Sequence, residues 1–297
     1  RYLTSPVALV LTAVVLLCLV GAREALGTIS GGALAPAPST TGAWWDLHLS
    51  SNHPIGTGSD VPAPAYVAPL ALLSWLLPGG PSVAVSVILV LAVPFGLWGA
   101  WRLLGVAARL VDPRGASPWL LGVGATTYAL IPVTSGAWGA GRFGVVVAAV
   151  VLPWFVHAAL GFADPERDRR WRAGWRSGLL LTVVVAFVAA AWWLVLGVVA
   201  LAALFAAAVA RRRLFERSVL GGVVAPVGVM LATPAVLLSP WLVPTLLQGD
   251  LVALVGEAGR LPFGILSPTD VLAGHLAAHA APASTRYRST ADGSARQ

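Results

Sequence analysis

Lysine is absent from these 297 residues, cysteine and methionine occur once each, and only 10% of the side chains are charged. The lone Cys18 excludes a disulfide framework, and with no second thiol it excludes a cysteine-built zinc cluster. So little charge also excludes an ordinary water-soluble domain, in which about a quarter of the residues are charged. Asp and Glu number 12, and none stands in the middle of an apolar run, so the intramembrane proton relay of many pumps and transporters is missing. The pI of about 10.9 rests on arginine alone. Those arginines occupy short segments between apolar runs, where they set topology rather than form a groove, so no nucleic-acid partner follows from them.

What the chain does contain is apolar length: 58% of it is hydrophobic and its mean hydropathy is +0.83. This predicts an all-α integral membrane protein, a polytopic helical bundle of about seven spans. The longest run, residues 177–210, carries no charge and has arginine clusters on both sides. One helix of that length would reach roughly 50 Å against about 30 Å of hydrocarbon, and it would leave basic segments on opposite faces. A tight hairpin turning near 189–193 removes both difficulties and sets Trp192 and Trp193 at the outer interface. The other predicted spans are 6–22, 82–101 with a kink at Pro94, 118–134, 143–162 and 218–238. A cleaved signal peptide is the competing reading of the first run, but no small-residue cleavage site follows it and further spans do. Residues 66–77 are too short and too crowded by proline to cross, and read as a juxtamembrane or re-entrant helix.

With the first span running inside to outside, the inner loops hold twelve arginines against five acids, and the outer segments six against seven. That asymmetry places the large loop 23–64 and the carboxyl-terminal tail outside the plasma membrane, and the arginine-rich loops in the cytoplasm. The domain reading is a multi-span membrane domain over 1–240, then an external interfacial segment and disordered tail over 241–297. Residue 1 is Arg rather than Met, which suggests a piece of something longer.

Within the outer loop, Trp44, Trp45, Asp46, His48, Asn52, His53 and Asp60 fall inside seventeen positions. Aromatic faces beside a carboxylate and hydrogen-bonding groups suit a sugar, and the carboxylate can serve as general base toward an acceptor hydroxyl. The plainer reading makes the tryptophans interface anchors, has Asp46 cap a helix, and leaves the histidines as solvated loop residues. Asp46, His48, His53 and Asp60 include acceptable ligands for a divalent metal, but their spacing matches no compact motif, so no metal or other cofactor is assigned. His157, near the inner end of a span, reads as a hydrogen-bonded packing residue. Arg142 follows Gly136, Gly139 and Gly141 at an outer end, where its guanidinium fork suits a lipid phosphate or simply snorkels.

One arrangement is familiar. A first span precedes a long loop with Trp45-Asp46 and His53-Pro54. Val61-Pro62-Ala63-Pro64-Ala65-Tyr66 then leads into a short helix, and Leu76-Leu77-Pro78-Gly79-Gly80 precedes the next span. This resembles the opening of the GT-C membrane glycosyltransferases. Gly141-Arg142-Phe143-Gly144 through Leu152-Pro153-Trp154 is similar to membrane regions of large actinobacterial glycosyltransferases, including the envelope arabinofuranosyltransferases and the membrane part attached to some family-two enzymes. The resemblance covers roughly residues 1–240. It implies a polyprenyl-phosphate-linked sugar as donor, an envelope glycan or glycolipid as acceptor, and transfer on the outer face. In that family an acid of the first outer loop is the catalytic base, which by placement is Asp46, with Asp60 in reserve. Trp44, Trp45, His48, His53 and Arg142 would bind substrate. The loop lacks the adjacent acidic pair, which leaves room for a non-catalytic membrane anchor module of a larger family-two glycosyltransferase. A lipid-linked sugar flippase would want a polar path that these spans do not supply.

Overall fold

Runs of Ala, Val and Leu with no polar period have one way to satisfy their own backbone in an apolar medium, which is to coil into helix. The computed structural model, which describes residues 6–21, 33–50, 62–209 and 217–256, is helical accordingly. In chain order it has α1 (Pro6–Gly21), α2 (Thr41–Leu49), α3 (Val67–Leu76), α4 (Gly80–Val111), α5 (Pro118–Thr134) and α6 (Phe143–Ala159). After a 3₁₀ turn (Leu160–Ala163) come α7 (Arg167–Phe187), α8 (Ala190–Val209), α9 (Arg217–Leu237) and α10 (Ser239–Leu247). No strand occurs among the described residues. The compact unit runs Arg1–Arg260, so α10 belongs with the helices before it.

Among the described residues three stretches, Gly80–Val111, Phe143–Ala163 and Ala190–Ala208, are long and apolar enough to cross a membrane. Counting Gly222–Leu237 with Ser239–Leu247, bent by 73°, as one broken span gives up to four. Length and composition therefore support a helical membrane protein but fall short of the seven crossings expected. The shortfall is physical: α1 has 16 residues, α5 has 17, and five arginines take up the first ten positions of α7. Three local expectations also need correcting. The break in the long run falls at Val188–Ala189, earlier than predicted, so Trp192 and Trp193 lie in the first turn of α8. The arginines of residues 167–176 sit on helix and not in a loop. And α4 continues ten residues past Trp101, to about 48 Å, because seven of those ten are Arg, Leu or Ala, good helix formers that need not stay in hydrocarbon.

Side-chain neighbours fix the direction of each helix. Gly96 faces Ala129 and Gly124 faces Leu104, so α5 runs antiparallel to α4. A Cβ at Gly144 would meet the Phe187 carbonyl, and one at Gly161 would meet Ala173, so α7 runs antiparallel to α6. Positions 170, 174 and 178 of α7 meet 222, 226 and 230–233 of α9, so these two helices are parallel. Gly174 and Gly178 form the small-xxx-small spacing that lets helix backbones touch. A Cβ added at Gly174 would stand 2.6 Å from the Pro226 carbonyl oxygen, and one at Gly178 would stand 2.7 Å from Thr233 Oγ1. The hydroxyls along this seam turn back onto their own helices: Ser177 donates to the Ala173 carbonyl and Thr233 to that of Val229, both at 2.6 Å. A second seam joins α4 and α6, where the Trp154 ring covers Gly99 and its Nε1–H donates to the Phe95 carbonyl at 3.3 Å.

These directions collect charge at one end of the unit. The carboxyl-terminal part of α4, the start of α5, the end of α6 and the starts of α7 and α9 lie together there with nine of the ten described arginines. Among the described residues Arg142 is the lone arginine of the opposite end. α3 stays at that opposite end, because Tyr66 at its start stacks on Phe187 at 5.6 Å and Gly79–Gly80 at its close reverse straight into α4. Both glycines have positive φ, 105° and 80°, which other L-residues adopt only with strain. Both ends of the short helix are thus held at that end of the unit.

Gly178→Leu should lower stability by about 1–3 kcal/mol through overpacking against α9. Gly197→Leu on α8, where a Cβ meets nothing within 4 Å, should be near neutral. Thermal unfolding of the two variants in the same detergent checks the contrast, and equal midpoints would remove the close-packed seam.

Candidate functional site

The residues singled out in the outer loop lie on α2, a helix that the Gly- and Pro-rich surroundings did not reveal. Its amino terminus is capped by Thr40, whose Oγ1 accepts from the Ala43 N–H at 3.2 Å. Asp46 is therefore no cap; it stands mid-helix. At the other end the Ser50 N–H donates to the Asp46 carbonyl at 2.9 Å. A hydroxyl–hydroxyl bond of 2.6 Å between Thr41 and Ser74 ties α2 to α3.

Burial sorts the three aromatic and polar neighbours. Trp44 is 6% exposed and packs in the main core with Val67, Leu70 and Trp241. Its ring fastens α2 down and has no open face for a sugar. Trp45 is half-buried on the edge of the same core, with the His48 ring edge-on at 6.3 Å. Asp46 is exposed, and among the described residues its carboxylate has no hydrogen-bond or ion-pair partner. Trp45 and His48, three positions apart, thus share one face of α2, and Asp46 projects from another. His53 and Asp60 lie outside the described residues.

Arg142 is at the start of α6, on the turn between α5 and α6, where Gly136 and Gly141 have φ of 74° and 67°. Its N–H donates to the Ala137 carbonyl at 2.9 Å. That turn is joined to the stretch leading into α2, because the Ala33 N–H donates to the Ala140 carbonyl at 2.9 Å. Arg142 and Asp46 thus share an end of the unit. The structure gives no contact between them.

Beside α3 an apolar cavity of about 400 Å³ opens among α3, α4, α6 and α7, lined by Leu70, Leu73, Ile88, Leu91, Phe95 and Val150 among others. Nothing in its walls can bind a polar group, but it can take a hydrocarbon chain. No group of three His, Cys, Asp or Glu among the described residues could hold a metal ion. Among the described residues this end offers the exposed Asp46 carboxylate, an aromatic edge, an imidazole and an arginine, standing near a lipid-compatible groove. The sequence missed two positioning elements, the Thr40 cap and the Thr41–Ser74 bond; a Thr-Thr pair three residues before the tryptophans was the available signal.

No family model, no curated protein and no solved structure matches this chain.

Trp44→Ala should destabilise the protein by about 3–5 kcal/mol, as loss of a buried large ring does, whereas Trp45→Ala should cost clearly less. Thr40→Ala should cost about 1 kcal/mol through loss of the cap. Chemical unfolding followed by tryptophan fluorescence measures each; a Trp45 variant worse than the Trp44 variant would overturn the assignment of Trp44 as the anchor.

Proposed function

We propose that this chain is a membrane glycosyltransferase, or the membrane domain of one, that moves a sugar from a polyprenyl-phosphate donor to an envelope glycan or glycolipid on the outer face. The observation that carries the reading is the exposed Asp46 carboxylate, held on a helix that Trp44 fastens to the bundle, at the end opposite the arginines. Arginine-rich segments stay in the cytoplasm, so that end is the outer one. With α1, α5 and α7 also crossing, the seven helices give a GT-C-like arrangement in a plasma membrane, with the 23–64 loop outside.

In the reaction, Asp46 accepts the proton of the acceptor hydroxyl as its oxygen attacks the anomeric carbon. The bond from that carbon to phosphate oxygen breaks, and the electron pair leaves with the polyprenyl phosphate. The cavity beside α3 takes part of the isoprenoid chain, Arg142 faces the phosphate, and Trp45 and His48 line the sugar. Asp60 and His53 stand by in the same loop. No metal is required by this scheme. A second reading, a membrane anchor module of a family-two glycosyltransferase, is favoured by one fact: no described residue orients the Asp46 carboxylate.

Two measurements test the proposal. Asp46→Asn should reduce sugar transfer in membranes by a factor of about 100 or more, with expression unchanged; full activity would transfer the chemistry to another domain and leave the anchor reading. In a Cys18→Ala background, an impermeant thiol reagent applied to whole cells should label Ser50→Cys and spare Asp168→Cys. The reverse pattern would invert the orientation and with it the enzymology.

A further inference from the structure

At the arginine end a separate cavity of about 340 Å³ opens between α4, α6 and α7. Val106, His157, Ala158, Arg169, Arg172 and Arg176 form much of its wall, and the one acid that lines it is Asp164. The three arginines follow i, i+3, i+7 spacing and so share one face of α7.

The acids neutralise only the first of them. Asp164 and Glu166 both bind Arg169, at 3.3 Å and 2.8 Å. Asp164 also accepts the Glu166 N–H at 2.9 Å; that bond first, and then Arg169, hold its carboxyl below the usual carboxylate range. Asp168, one turn before Arg172, is not within ion-pair distance, and among the described residues neither Arg172 nor Arg176 has an acidic partner. Arg102, one turn before Val106, adds another cation and rests over the Trp154 ring at 5.5 Å.

The depth of the cavity narrows its occupant. Gly161 abuts Ala173, which sets the cavity level with the end of the apolar stretch Phe143–Ala163. That stretch runs about 30 Å, the thickness of the hydrocarbon layer. Arg172 is therefore at the boundary and Arg176 one turn to its apolar side. Trp119 and Trp175, 77% and 55% exposed, stand at the same end, where amphipathic rings gather at a bilayer surface. A guanidinium at this depth is costly without a counter-anion, and its fork matches phosphate oxygens.

We propose that this cavity holds the phosphate of an anionic phospholipid headgroup, with the acyl chains leaving along Val106 and Ala158. The site is at the end opposite Asp46 and does not depend on the transfer chemistry. Inorganic phosphate offers the same oxygens without the chains, so it separates a lipid from a soluble anion.

The test uses the full chain in neutral detergent, with phosphatidylglycerol, phosphatidylcholine or inorganic phosphate added, read by native mass spectrometry and by thermal midpoint. Phosphatidylglycerol should bind about tenfold or more tighter than phosphatidylcholine. Arg172→Gln/Arg176→Gln should lose about that factor, while Arg114→Gln, outside the cavity, should keep it. Should the double variant not fold, Arg176→Gln alone should bind about threefold more weakly. Equal binding of the two lipids, an unaffected arginine variant, or inorganic phosphate stabilising the protein as well as the lipid does would each overturn the proposal.

Discussion

The backbone contact of α7 with α9 at Gly174 and Gly178 is the constraint from which the rest of the arrangement follows. Where lipid tails surround the helices, apolar side chains gain little by meeting each other, and association depends on how closely two backbones can approach. With no side chain at those two positions, Pro226 and Thr233 come within 3 Å of where a Cβ would stand. Contact at this range admits one register. It sets α7 and α9 parallel, which obliges α8 to run back between their ends. The same close packing at Gly161 and Gly144 aligns α6 against α7 over nearly its full length.

That register decides where the charges lie. Because α7 begins with arginines and runs parallel to α9 and antiparallel to α6, its basic turns meet the end of α6 and the extension of α4. The opposite end receives the aromatic set Tyr66, Phe143 and Phe187, and α2 with its carboxylate. Among the described residues the unit thus has a basic end and an opposite end with the exposed Asp46, an apolar groove and an aromatic rim. The proposed transferase reading and the proposed lipid site draw on the two ends of this one asymmetry.

Much of the helix layout was legible in the chain. α5 matches residues 118–134 to the residue, since Ser117 caps it and Pro118 suits its first turn, and α1 matches 6–22 within one. α3 was legible as short because prolines bracket it and the Gly79–Gly80 pair closes it. α2 was hidden: nine residues in a stretch rich in Gly, Pro, Ser and Thr carry no apolar period, and what holds them helical is the burial of Trp44 and a bond to Ser74. The candidate site was legible as a cluster of suitable types, but the separate jobs of neighbours Trp44 and Trp45 were not, because adjacent helical residues point about 100° apart and only the partner helix says which is covered.

The sequence by itself determined that this is a helical protein fit for a bilayer, and roughly where each helix runs, because hydropathy, proline and glycine act locally on the backbone. Only the tertiary structure decided which arginines meet around one cavity and which of two tryptophans anchors the loop. It also decided that α2 is tied to α3 through Thr41 and Ser74. These depend on helix direction and register, which are set by contacts between residues tens of positions apart and are carried by no local pattern.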